Sequence, residues 1–86
     1  MFFVYVLQSL KDKKLYIGYT DNLAERFKKH NDGQVKSTNP RKPFKIIYYE
    51  AHQNKYDAIV KEKFLKTGWG YNYLKRSLKN YFEAKT

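Results

Sequence analysis

Two runs of aromatic and β-branched residues stand close together at the start of the chain, Phe2 to Gln8 and Leu15 to Thr20, with the polar stretch Ser9 to Lys13 between them. Runs of that composition joined by so short a segment read as the two strands of an antiparallel hairpin. The period then changes. From Asp21 to Asn31 the apolar residues Leu23 and Phe27 lie four apart, Asp21 is a good N-cap and Gly33 falls just past the end, which predicts a short helix. Gln34 to Pro43 holds both prolines of the chain and predicts an irregular loop. Phe44 to Glu50 predicts a third strand. Asn54 can cap a helix running to about Lys66, with Ala58, Ile59, Glu62, Phe64 and Leu65 on it. Gly68-Trp69-Gly70 breaks the pattern, and a last helix is expected from Tyr71 or Asn72, carrying Leu74, Leu78, Tyr81 and Phe82. The expected fold class is α+β: a small three-stranded antiparallel sheet covered by helices, in the order β-β-α-β-α-α, as a single domain over residues 1–86.

Composition narrows the function classes. The chain has 86 residues and no cysteine, which removes disulfides, thiolate nucleophiles and Cys-ligated metal sites together. Hydrophobic residues at 42% and aromatics at 19% are too much apolar surface for a disordered tail. Eighteen Lys and Arg against eight Asp and Glu give a net charge of +10, which points to a polyanion as partner, nucleic acid first. No apolar run approaches the ~20 residues of a membrane span, and the N-terminus lacks the pattern of a signal peptide. A cytoplasmic protein without membrane association is the expectation.

Several polar residues have spacings that matter for chemistry. Tyr5 and Tyr16 lie on neighbouring strands; a hairpin centred between Leu10 and Lys11 puts them directly opposite one another, leaving the same face of the sheet. Gly18 is a glycine inside a strand, which marks a close approach by a ligand or another backbone. Arg26 and His30, four apart on the first helix, share a face that adjoins the Leu23–Phe27 face. Glu62 sits in Val60 to Lys66, where three lysines crowd one acid. Taken singly, these features have ordinary readings: core packing, solvent-facing charge, and a helix ion pair of a few tenths of a kcal/mol. A carboxylate kept in a basic surface also suits Mg²⁺, which retains most of its waters and takes further oxygens from phosphate. Lys36, Arg41, Lys42 and Lys45 form a basic stretch suited to tracking phosphates. His52 is expected in a polar loop, exposed to solvent, and Trp69 is expected to pack the junction of the last two helices.

Taken together and in order, Phe3-Val4-Tyr5, then Tyr16-Ile17-Gly18 eleven positions on, then Asn22-Leu23, Arg26 with His30, and Glu62 in a later helix, resemble the GIY-YIG nuclease domain. The resemblance extends from Met1 to about Leu78 and is to the small free-standing members of the family. The first motif departs from the family: Phe3 and Val4 stand where its glycine and isoleucine would be, so only the tyrosine is kept. The resemblance implies a metal-dependent endonuclease that cleaves DNA, in preference to RNA, in repair or recombination, and leaves 5′-phosphate and 3′-hydroxyl ends. It implies Glu62 as the ligand of a single Mg²⁺ or Mn²⁺, Arg26 as the fork on the phosphate, and Tyr5 as general base. Tyr16 and His30 would position the water or relay the proton of Tyr5, and the two tyrosines could exchange roles. The resemblance implies Asn72, at a short spacing from Glu62, as the counterpart of an asparagine found downstream of the metal-binding glutamate in many relatives. Two other readings fit the charge: a non-catalytic nucleic-acid-binding module with the same fold and basic surface, and a basic adaptor that docks on an acidic protein.

Overall fold

The computed structural model describes residues 1–84. Strands β1 (Phe2–Ser9) and β2 (Leu15–Thr20) are followed by helix α1 (Leu23–Asn31), a 3₁₀ turn at Asn39–Arg41 and strand β3 (Phe44–His52). Helices α2 (Lys55–Leu65), α3 (Gly68–Ser77) and α4 (Lys79–Glu83) complete the chain. The sheet is antiparallel throughout in the order β2-β1-β3, so the most apolar strand is the central one.

Alternation along β1 divides the core. Val4 and Val6 face Ala58 and Leu65 of α2 and Leu74 of α3, with Ile17, Tyr19, Ile47 and Tyr48 at the margin. Tyr5 and Leu7 face the other way, onto Phe44, Ile46, Tyr16 and the Leu23–Phe27 stripe of α1. The sheet therefore lies between α1 on one face and α2 with α3 on the other. Burial of these side chains is the main stabilising term, and β1 is buried on both sides because it serves both layers. Among the described residues, no helix is long and apolar enough to cross a membrane.

The element order agrees with the sequence reading, and several local expectations need correction. The hairpin pairs Tyr5 with Gly18 and Leu7 with Tyr16, so the two tyrosines are diagonal neighbours and not opposite one another. Ser9 is the reason. Its hydroxyl accepts from the amides of Lys11 (3.0 Å) and Asp12 (3.1 Å), and Lys13 takes a φ of 64°, which moves the centre of the turn beyond Lys11. The shift is an even number of residues, so both tyrosines still leave one face.

Asn22, not Asp21, caps α1: its side chain accepts from the Glu25 amide at 3.2 Å. Strand β3 continues to His52, whose ring meets Glu50 at 3.0 Å; it is half-buried at a strand end, not solvated in a loop. Gly68-Trp69-Gly70 is the first turn of α3, capped by the Thr67 hydroxyl, and does not break a helix. A methyl at Gly70 would overlap the backbone of Phe64 and Leu65, so glycine is what allows α3 to start against the end of α2. Trp69 packs no junction; it is 80% exposed. The expected last helix is two, because Leu78 leaves helical backbone at φ −110°, ψ 28°.

Candidate active site

Tyr5 is 1% exposed although it is polar, and Gly18 explains how it fits. The Tyr5 ring crosses the neighbouring strand directly over Gly18, where a side-chain methyl would overlap the phenol ring and its hydroxyl. The close approach that the strand glycine marks is thus made by a side chain of the same sheet.

The Tyr5 hydroxyl ends at His30. Four residues after Arg26, His30 turns inward from the last turn of α1 and is wholly buried, not a solvent-facing charge. Its Nε2 lies 2.9 Å from the Tyr5 hydroxyl and its Nδ1 lies 2.8 Å from Thr38 Oγ1. The Thr38 hydroxyl itself donates to the Val35 carbonyl at 3.3 Å, so its oxygen is the acceptor for His30. The chain of bonds assigns the tautomer: Nδ1 carries the hydrogen, and the Nε2 lone pair receives the Tyr5 O–H. Burial, aided by the Arg26 charge, pulls the His30 pKa down to about 4, so the ring is a neutral acceptor at pH 7.

Around this pair stand the other residues singled out in the sequence. The Tyr16 ring is 4.9 Å from that of His30 and 6.4 Å from that of Tyr5. Tyr16 is half-buried, so it is the tyrosine with a side open to solvent. Burial raises the Tyr5 pKa; the Arg26 guanidinium beside the hydroxyl opposes that, while Tyr16 and the charge of Glu62 add to it. Glu62 is therefore within electrostatic reach of Tyr5 although it comes from α2. Its side chain is 20% exposed and pairs with Lys66 at 3.0 Å.

The remaining candidates lie apart. Asn72 is exposed on α3 and makes no side-chain hydrogen bond among the described residues. Arg41 meets Asp12 at 2.9 Å and reaches the Leu15 carbonyl, while its own carbonyl takes the Ser9 hydroxyl at 2.6 Å. That guanidinium braces the loop against the hairpin, and it holds the Asp12 carboxyl down at about 2. Lys42 bonds Asn39 at 2.8 Å, Lys45 sits 4.9 Å over the Tyr81 ring, and Lys36 is exposed in the loop. Thr38 is the residue that sequence reasoning missed. Nothing near it in the chain marks it, because its partner His30 belongs to another element.

Residues 1–81 match the family described as the GIY-YIG catalytic domain. A UPF0213 protein of Clostridium perfringens is 43% identical over 67 residues, which cover 77% of this chain and 71% of that protein. A UPF0213 protein of Pediococcus acidilactici is 44% identical over 68 residues, 76% of this chain and 68% of its own. A UPF0213 protein of Staphylococcus aureus is 38% identical over 66 residues, 76% and 79% of the two chains. No solved structure gives a match.

Proposed function

The chain belongs to the GIY-YIG family, a nuclease family, and from that membership and the site's geometry we propose that it is a metal-dependent endonuclease that hydrolyses a phosphodiester bond in DNA. The products would carry 5′-phosphate and 3′-hydroxyl ends, and repair or recombination in the cytoplasm is the setting this reading implies. The observation that carries it is the Tyr5–His30–Thr38 chain with Arg26 beside the Tyr5 hydroxyl.

A phenol with a raised pKa is a poor base by itself. It becomes useful when its own proton has somewhere to go. As an attacking water gives a proton to the Tyr5 oxygen, the Tyr5 proton passes 2.9 Å to the neutral Nε2 of His30. The water oxygen bonds to phosphorus as it loses that proton, which makes the proton acidic enough for so weak a base; the bond from phosphorus to the 3′-oxygen breaks, and that oxygen takes a proton from water. A buried imidazolium is unfavourable next to Arg26, so His30 returns the proton and the chain resets. Arg26 offers a planar pair of donors to the phosphate oxygens as charge develops on them. Tyr16, open to solvent beside His30, orients the water.

Glu62 fits a metal as a single hard oxygen donor. Among the described residues, no group of three or more His, Cys, Asp or Glu could hold an ion, so the other ligands would be waters and phosphate oxygens, as suits Mg²⁺ or Mn²⁺. Bound there, the ion would offset negative charge on the phosphate and the leaving oxygen.

The test is cleavage of a panel of branched, flapped and single-stranded DNA in Mg²⁺, Mn²⁺ and EDTA, for the native protein and Glu62→Gln. Cleavage in either metal, lost in EDTA and in Glu62→Gln, is the expected result. EDTA binding of the variant should be level or tighter, because a negative charge has left a phosphate-facing surface. Cleavage undiminished in Glu62→Gln would refute the mechanism; binding without any cleavage by the native protein would leave a binding module.

A further inference from the structure

A groove of about 640 Å³ lies between the hairpin and the ends of α2, α3 and α4. Tyr16 forms part of one wall and Lys66 part of another. The Tyr16 ring meets that of His30 edge to face and Lys66 pairs with Glu62, so two residues of the groove wall touch residues of the active site.

Its chemistry is lopsided. Lys13, Lys14, Lys66 and Lys75 line it against one acid, Asp12, which Arg41 already neutralises. Among the described residues, Lys13, Lys14 and Lys75 form no ion pair. The apolar part of the wall includes two aromatic rings, Tyr71 and Phe82, with Tyr71 47% exposed. The Lys75 ammonium lies 4.5 Å over the Phe82 ring and 5.9 Å from the centre of the Tyr71 ring. Cations set among aromatic rings, one exposed and one half-buried, fit a ligand that is both an anion and a set of flat rings. A duplex keeps its ring faces stacked inside and is too wide for a space of this size. Unpaired nucleotides offer both surfaces, and the volume takes about two of them.

We propose that this groove holds about two unpaired nucleotides of the DNA substrate next to the scissile phosphate, with bases against Tyr71 and Phe82 and phosphates on the lysines. The placement beside the scissile phosphate rests on the nuclease reading above; the groove's preference for unpaired DNA does not. A substrate with a single-stranded flank would then be held more tightly than a blunt duplex. Junctions between duplex and single strand would be the preferred place of cutting.

The experiment is fluorescence anisotropy in EDTA with labelled blunt duplex and the same duplex carrying tails of 1, 2, 4 and 8 nucleotides, DNA or RNA. The sole tryptophan, Trp69, is exposed two residues before Tyr71, and its fluorescence is a second, label-free reading. Affinity should rise about tenfold over the first two DNA tail nucleotides and little thereafter. In Tyr71→Ala the tailed-to-blunt affinity ratio should fall towards one. Tyr71→Leu, which keeps apolar bulk without an aromatic face, should fall likewise. Thermal melts of both variants at the native midpoint exclude misfolding as the cause. Replacing Lys13 and Lys75 together by Ala should reduce the salt slope on tailed DNA by about 1.4, two contacts at about 0.7 each on a single strand. Equal affinity for blunt and tailed duplex would overturn the proposal, as would an unchanged ratio in both Tyr71 variants or a gain confined to RNA tails. A tail preference in a protein that never cleaves would uphold the groove and remove the nuclease reading. Cleavage without a tail preference would do the reverse.

Discussion

Acidification should destabilise this protein at a pH where its carboxylates are still ionised, and His30 is the reason. In the unfolded chain this imidazole takes up a proton near pH 6.5; in the folded protein burial, with the Arg26 charge second, delays that to about 4. Between those values the unfolded state binds more protons, so stability falls as pH falls. The contribution is fully present above pH 6.5 and is lost as pH drops through about 4. A full shift of this size corresponds to about 3 kcal/mol, and the part lost between pH 7.5 and 5 is about 2 kcal/mol. For a domain of this length that lowers Tm by about 8–16 °C. The window is clean because Asp12 and Glu50, whose pKa values are lowered by Arg41 and by Tyr48 with Lys61, lose their contributions only at lower pH. Thermal and urea melts by circular dichroism, at constant ionic strength in half-unit steps from pH 7.5 to 5, measure the slope. His30→Gln sets the comparison: it is less stable at every pH, but its change over the same interval should be under about 0.5 kcal/mol. A native Tm that is flat from pH 7.5 to 5, or a slope that survives in His30→Gln, would show that His30 is not a buried neutral ring. The proton relay from Tyr5 would then lose its acceptor.

Three further outcomes are expected. Arg26→Lys keeps the charge and loses the donor fork, so the cleavage rate should fall about 100-fold or more while DNA affinity stays within about threefold; native turnover would remove Arg26 from the site. Gly18→Ala puts a methyl where the Tyr5 ring lies, so urea melts should show a loss of about 1–3 kcal/mol with activity falling alongside, and a variant as stable as the native protein would mean the ring does not cross there. Log affinity for duplex DNA should fall linearly with log salt, at about −0.9 per phosphate contact, and an affinity indifferent to salt would refute a nucleic-acid partner for this +10 chain.

How much of this was legible beforehand depends on how far apart the deciding atoms are in the chain. The two strands of the hairpin, the first helix with Leu23 and Phe27 on its half-buried stripe, and the Asn54 cap are written in neighbours two to four residues apart, and the structure has them. The Tyr5, Tyr16, Arg26, His30 and Glu62 series is spread over much longer intervals, but as an ordered set it carried the family resemblance through to the match over residues 1–81. Register, burial and partners were not written locally. One hydroxyl, Ser9, moved the turn and made Tyr5 the neighbour of Gly18, a pairing that no periodicity in either strand distinguishes from its even-numbered alternatives. Gly68 and Gly70 look like helix breakers because their propensity is poor by about 1 kcal/mol each, but the backbone of α2 lies so close to Gly70 that only glycine lets α3 start there. Arg41, one more cation in a basic stretch by sequence, became a brace because folding brought Asp12 to it from 29 residues away. His30 reads as an exposed helix residue until α1 is laid on the sheet, when Tyr5 and Thr38, 25 and 8 residues away, close on its two nitrogens. Local chemistry chose which residues the chain carries and at what intervals; only packing between distant segments, by removing water from some side chains and leaving it on others, decided which of them became bases, braces or walls.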